Sequence, residues 1–206
     1  KSLVVVREER IEMLDSIRAY SEERLNEQQD LELVLERHAR HWLDRAQSAT
    51  PTKMIVENLL AAHQRAIEGR LGEASRNLAV RAAIALAPHF FRRGPLRAFP
   101  TIARASLALS DDDPLRARLE AELGYALGSL GAMDEGVAAL ERSQSIAARH
   151  GARGEEAWAR SHLALLLRHA DRAAAEAHAK EAVDLSRGGV DAAIEAMALR
   201  VLAGVV

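Results

Sequence analysis

The chain of 206 residues contains no cysteine. Disulfides and thiolate metal sites are thereby excluded, and the composition suits a reducing compartment. Aromatic residues make up only 3% of the chain, so a core has to be assembled mainly from aliphatic side chains. No uninterrupted apolar run approaches the roughly 18 residues needed to cross a bilayer. The opening run, Leu3 to Val6, is too short for a secretory signal. The formal charge of −2 is nearly balanced, which gives no reason to expect non-specific attraction to nucleic acid or an anionic membrane. No G-x-x-x-x-G-K-S/T loop is present to cradle a phosphate, and no serine or threonine stands in a nucleophile elbow.

What the chain does have is apolar content, 49%, enough to bury a core. Alanine, leucine, arginine and glutamate dominate, the composition of close-packed helices. Four times a large apolar residue precedes a tiny one: Leu86-Ala87, Leu123-Gly124, Leu163-Ala164 and Leu202-Ala203, spaced by 37, 40 and 39 residues. A period of that size marks an array of antiparallel helical hairpins. Such arrays work as binding surfaces, because stacked units build one long face.

Leu3 to Val6 and Ile11 to Leu14 flank the polar Arg7-Glu-Glu-Arg10, which predicts a β-hairpin. Asp15 is placed to cap a helix to about Asn26, with Ile17, Tyr20 and Leu25 on one face. Asp30 caps a second helix whose buried side carries Leu31, Val34, Leu35, Ala39, Trp42, Leu43 and Ala46. Thr50-Pro51 sets proline at the first position of a third helix, which runs to about Gly69. Helical hairpins follow: about Glu73 to Arg93 with Pro95 to Leu109, Leu115 to Leu130 with Asp134 to Arg149, and about Glu155 to His169 with a return to Arg187. Asp191 opens one more helix in an incomplete unit. The expected organisation is therefore a hairpin over 1–15, a helical linker region over 16–72 and repeats over 73–206. A first residue other than Met leads us to expect a piece of a longer protein.

Two helices that pack closely need a small residue at the contact. Ala87, Gly124, Ala164 and Ala203 supply it, each after a leucine that fills the core. Gly94 and Gly131 stand where a left-handed backbone lets the chain reverse. On the second helices, Gly136, Leu140 and Ser143 match Ala175, Ala179 and Ala182, each set one stripe at i, i+4, i+7.

These spacings resemble tetratricopeptide repeats in their degenerate form, with Trp158 near a position that favours an aromatic. The chain departs from that pattern in lacking the unit-ending proline, and in placing Phe90, Leu127 and Leu167 where tyrosine is favoured. The N-terminal half narrows the resemblance. Arg10-Ile-Glu-Met-Leu-Asp-Ser-Ile-Arg-Ala-Tyr-Ser-Glu-Glu-Arg-Leu25 is similar to R-x-x-M-L-E-T-x-R-x-Y-A-x-E-x-L, which follows the winged helix of large bacterial signalling ATPases. Arg37-His38-Ala39 with Trp42, Leu43 and Ala46 resembles their next block. Glu57-Asn58-Leu59-Leu60-Ala61-Ala62 resembles their E-x-x-N-L-R-A-A-L helix, and Phe90-Phe91-Arg92-Arg93-Gly94 their aromatic-x-R-G turn. The four blocks, in order, resemble the C-terminal half of LuxR-type or AfsR-type transcriptional regulators of the STAND class of NTPases.

That resemblance implies an all-α superhelical array of tetratricopeptide-like hairpins behind a short β-hairpin left from a winged helix. It implies a cytoplasmic, non-enzymatic sensor that takes a protein, peptide or small effector and regulates an NTPase module of the same polypeptide. ATP and DNA would belong to the parent protein; no cofactor, direct nucleic-acid contact or membrane contact is expected of this chain. The alternative is a stand-alone tetratricopeptide adaptor that docks extended peptides.

Other candidate chemistry is thinner. His38 and His41, or His162 and His169, have helical spacing but lack an acidic third metal ligand. Glu22-Glu23, Asp111-Asp112-Asp113 and Glu155-Glu156 are adjacent carboxylates that point apart on a helix or cap one, so no acid–base pair is expected. Arg92-Arg93 with Arg97 and Arg104 form the strongest basic cluster, suited to a phosphate or an acidic partner. The inner face of the array should be built by the first helix of each unit. By repeat register Arg81, Phe91, Arg92, Arg118, Tyr125, Ser129, Leu165 and Arg168 should line it, with Ile84, Pro88, Ala121 and Ser161. Exposed Phe91, Tyr125 and Leu165 among arginines would suit a peptide or acidic ligand.

Overall fold

A computed structural model describes residues 4–7, 10–27, 30–48, 52–187 and 191–205. The described chain is almost entirely helical. Ten helices follow one another: α1 Asp15–Glu27, α2 Leu31–Ser48, α3 Lys53–Ile67, α4 Ser75–Arg92, α5 Phe99–Leu107, α6 Pro114–Ser129, α7 Met133–Arg149, α8 Arg153–Leu167, α9 Arg172–Ser186 and α10 Ala192–Val205. Two short strands precede them, β1 Val4–Arg7 and β2 Arg10–Met13, paired antiparallel with Val4 opposite Met13. No described helix is long and apolar enough to cross a membrane.

Several helices start where a side chain serves their free N–H groups, whereas α4, α5, α7 and α8 have no side-chain cap. Asp113 accepts from Arg116 N at 2.8 Å ahead of α6, whose Pro114 needs no partner. Asp171 does the same for α9, accepting from Ala174 N at 3.0 Å. Three expected boundaries shift. Asp15 lies inside α1 rather than capping it, and turns its carboxylate to Arg18. α3 begins at Lys53, with Thr52 as the cap, because the Thr52 hydroxyl is in reach of Ile55 N; Thr50 and Pro51 lie outside the described residues. Gly94 does not take the left-handed backbone expected of it. Its value is space, since a Cβ there would sit 3.0 Å from the Phe90 ring and 3.1 Å from Phe90 Cα. Gly131 does turn left-handed, at φ 91°, and lets three residues reverse the chain between α6 and α7.

Packing follows a regular scheme. Consecutive helices pair closely, α6 with α7 and α8 with α9 above all, and α2, α4, α6, α8 and α10 each pack on the next of that series. One continuous apolar core runs from Leu35 of α2 to Leu127 of α6, so the helices over 16–72 share their core with the first hairpin. Phe99 is wholly buried within it, with its ring 5.9 Å from Phe90 and 5.3 Å from Phe91. The leucine-small pairs lie inside: Leu86, Ala87, Leu123, Gly124, Leu163 and Ala164 are buried. The fourth pair differs, with Leu202 half-buried and Ala203 exposed, because no described helix covers that side of α10.

At the α6–α7 contact backbone meets backbone. A Cβ on Gly124 would lie 2.7 Å from Gly136 O, and one on Gly136 would lie 2.8 Å from both Gly124 O and Gly128 N. A second device recurs in successive pairs. Ser106 Oγ of α5 donates to Ala79 O of α4 at 3.1 Å, and Ser143 Oγ of α7 donates to Ala117 O of α6 at 2.6 Å. A buried hydroxyl thereby finds an acceptor, which is what makes its burial tolerable. His63 of α3 extends the first of these bonds, with Nε2 2.8 Å from Ser106 Oγ.

The N-terminal helices pack more loosely than their spacing suggests. α1 buries none of its residues, and Tyr20 is exposed rather than seated on an apolar face. Val34, expected on the buried side of α2, is 39% exposed. Both follow from α1 touching only α2 among the described elements to any extent, so no second layer covers them.

Candidate partner-binding face

The face in question is formed by α4, α6 and α8, where stripes of side chains run side by side. Phe91, Tyr125 and His162 come from one helix each and form a row of edge-on rings, with centroids 5.4 Å and 4.7 Å apart. Phe99 and Trp158 extend it at either end, Trp158 lying 4.9 Å from His162. Edge-to-face contacts set positive ring edges against negative faces and stabilise each pair by roughly 0.5–1.5 kcal/mol beyond burial. Phe91 and Tyr125 are therefore half-buried members of a row, not free aromatic anchors.

Arg118, expected to line the inner face, is already engaged: its Nε donates to Glu122 at 2.9 Å, and its Nη1 reaches Glu155 at 3.5 Å. Its guanidinium also stacks 3.6 Å from the Trp158 ring centroid. Burial pushes the carboxyls of Glu122 and Glu155 up, while Arg118 pulls both down. The Trp158 N–H is directed to the same Glu122 carboxyl, which it also helps to hold down, though without a hydrogen bond of ordinary geometry. Two carboxylates share one guanidinium, so this end of the face is acidic. The spacing does carry a signal for it: Glu155 and Trp158 stand about one repeat after Arg118, which sets them side by side on neighbouring helices.

The other expected residues divide by where the seams between helices fall. Ala121 and Ser161 do not face outward. Both are fully buried, Ala121 among Leu140, Ala159 and Leu163, and Ser161 with its hydroxyl turned back to Ala157 O at 2.8 Å. Close approach of α6 and α8 closes the gap over them. Leu165 is half-buried against the α8–α10 cluster. Arg81, Ile84 and Pro88 line a cleft between α2, α4 and α6. Arg92 and Ser129 are exposed, and so is Arg168, whose Nε donates to His169 Nε2 at 3.0 Å. Of the basic cluster, Arg104 is taken by Glu135 at 2.9 Å, whereas Arg92, Arg93 and Arg97 are exposed and have no ion pair among the described residues.

The remaining candidates have structural employment. His38 Nε2 lies 3.1 Å from both Asn58 Oδ1 and Trp42 Nε1, and His41 meets Trp42 edge-on. Asp112 pairs with Arg149 at 2.9 Å, Asp111 with Arg76 at 3.6 Å, and Glu156 with Arg160 at 2.9 Å. Glu22 lies 3.7 Å from Arg70. No cluster of three or more His, Asp or Glu that could hold a metal occurs among the described residues.

His162, whose spacing to His169 suggests only a metal ligand, has another place in the structure. Its Nδ1–H donates to Trp158 O at 2.9 Å, so the neutral ring leaves Nε2 unprotonated. Burial first, then the positive charges of Arg118 and Arg200, lower its pKa from 6.5 to about 4. Between those values the unfolded chain takes up a proton that the folded protein refuses. Stability is thus expected to fall as pH drops from 6.5 towards about 4, by up to about 3 kcal/mol from this ring. His38, His63 and His178 are also shifted down by burial and act in the same direction. The readout is therefore a difference. Urea melts at pH 7 and near the lower end of this range should show His162→Phe losing less stability on acidification than the parent, and equal losses would discard the assignment.

The arrangement sets an aromatic row between two carboxylates at Arg118 and an exposed guanidinium at Arg92. No family model, curated protein or solved structure matches the chain.

Proposed function

We propose that the chain is a non-enzymatic sensor and protein-interaction region of a bacterial transcriptional regulator of LuxR or AfsR type. On this reading the helices form a superhelical, tetratricopeptide-like array, and the paired strands β1 and β2 are the end of a winged helix. The region works in the cytoplasm, receives a partner on the face of α4, α6 and α8, and regulates an NTPase module of the same polypeptide. The observation that carries the reading is the repeated contact scheme. The first helix of each unit packs on the first helix of the next, and the serine-to-carbonyl bond recurs from one unit to the following one. The four N-terminal blocks supply the regulator context.

The mechanism is one of shape. Units that touch only their neighbours add small rotations into a change of curvature. A partner that prefers one curvature shifts the population towards it, and the module joined to the array feels the difference.

The encoding gene tests this most cheaply: a parent without a nucleotide-binding loop and a DNA-binding region would sink it, and a parent made only of repeats would favour the adaptor. Arg92 gives the test on the face itself, being exposed and unpaired among the described residues. In the full-length parent, Arg92→Glu is expected to change transcription of a reporter severalfold and to leave the melting temperature alone. An unchanged reporter response would remove Arg92 from the face.

A further inference from the structure

At the N-terminal end of this face a cleft of about 270 Å³ opens between α2, α4 and α6. Leu43, Ala46, Ile84 and Leu115 give it apolar walls, while Gln47 and Arg81 supply its polar groups. Arg81 is half-buried there and has neither an ion pair nor a hydrogen bond among the described residues. The comparison with its neighbours is what makes this informative. The half-buried arginines of α6 and α8 are all provided for: Arg116 by Glu120 at 3.8 Å, Arg118 by Glu122 and Glu155, and Arg160 by Glu156 and Glu181. A guanidinium that has given up part of its water without gaining an anion is costly to keep, and an anion from outside would relieve it.

We propose that this cleft binds a small amphiphilic carboxylic acid. The carboxylate takes the Arg81 guanidinium in a forked pair, and the hydrocarbon chain lies against Leu43, Ile84 and Leu115. The volume selects the class. It falls just under the roughly 300–1,000 Å³ of pockets that enclose drug-sized ligands, so a short chain fits and a nucleotide does not. The single guanidinium selects one negative charge rather than several. This rests on the reading of the α4–α6–α8 face as a receiver of effectors, and it names the chemistry of one effector. Because the cleft joins the linker helix α2 to the first two units, an occupant would bridge elements whose relative position sets curvature.

The test is a titration of the whole chain with hexanoate, followed by amide chemical shifts, with hexanamide as the uncharged isostere. Hexanoate should saturate, with shifts centred on Ala46, Arg81, Ile84 and Leu115, and hexanamide should bind about tenfold more weakly. Arg81→Gln should weaken hexanoate by about tenfold and bring it level with hexanamide, and Arg81→Lys should recover part of the loss because the charge returns without the fork. The hexanamide comparison needs no variant, so it holds even where a substitution disturbs folding. Shifts that stay linear in hexanoate, or an Arg81→Gln affinity equal to the parent's, would overturn the proposal. Saturation by acetyl-glutamyl-leucinamide but not by hexanoate would assign the cleft to peptides and overturn it equally. A failed hexanoate titration alongside a reporter response that still depends on Arg92 would remove the ligand and leave the face.

Discussion

Replacing Gly136 with leucine is expected to cost about 3 kcal/mol or more, and to lower the melting temperature by roughly 6–12 °C for a chain of this length. The reason is that its neighbours are backbone. The new Cβ alone would fall 2.8 Å from Gly124 O and from Gly128 N, so rotating a side chain cannot relieve the clash. The helix must move out, and α6 and α7 are the most extensively paired helices among the described residues. Leucine's better helix propensity returns only about 1 kcal/mol against glycine. Thermal melts followed by circular dichroism measure the loss, and hydrogen exchange should place the lost protection in α6 and α7 first. A variant that melts with the parent would mean the two helices are not as close as described. Gly131→Leu makes a useful contrast, because no atom lies within 4 Å of a Cβ there and the cost is left-handed backbone strain alone.

Arg118→Ala should be almost as damaging, by about 3 kcal/mol, since it strands Glu122 in the interior without its counter-ion. Glu122 is 4% exposed, and Arg118 is the basic partner that faces it. The sign of the pH effect separates this from simple loss of packing. Burial raises the Glu122 pKa, so the folded protein holds that proton more tightly than the unfolded chain does. Such a group contributes stability below the ordinary carboxylate range, and the contribution is lost as pH rises through the folded value. Without Arg118 the folded value climbs further. The variant should therefore lie closer to the parent at pH 5 than at pH 8, and Arg118→Ala with Glu122→Gln should recover most of the loss at pH 8. Equal destabilisation at both pH values, with no recovery in the double variant, would show that Arg118 acts through its contact with Trp158 and not through charge.

Both predictions rest on residues the sequence shows in different degrees. Gly124 and Gly136 are legible, because a tiny residue at a fixed place in each unit has one purpose, close approach. The same holds for the cap Asp113, whose chemistry is satisfied within three residues. The Arg118 site is harder to read. Its i, i+4 link to Glu122 is local, but its meeting with Glu155 and Trp158 depends on α6 and α8 lying side by side in register. A count of arginines along a helix face does not show which of them a neighbouring helix has already neutralised, as Glu155 does Arg118.

The sequence by itself determined the helical class and the small residues at the contacts, since both follow from patterns within a few turns of one helix. Only the tertiary structure decided which face residues remain available. Ala121 shares a stripe of α6 with Arg118 and Tyr125, and Ser161 lies on the matching stripe of α8, yet both disappear into the seam between helices. Arg81 has no ion pair among the described residues and stands at an apolar cleft, while Arg118 is enclosed by carboxylates. A stripe fixes the side of a helix on which a residue lies. How near the next helix comes, and which charge it brings, is set by packing between residues about one repeat apart, and no local pattern encodes that distance.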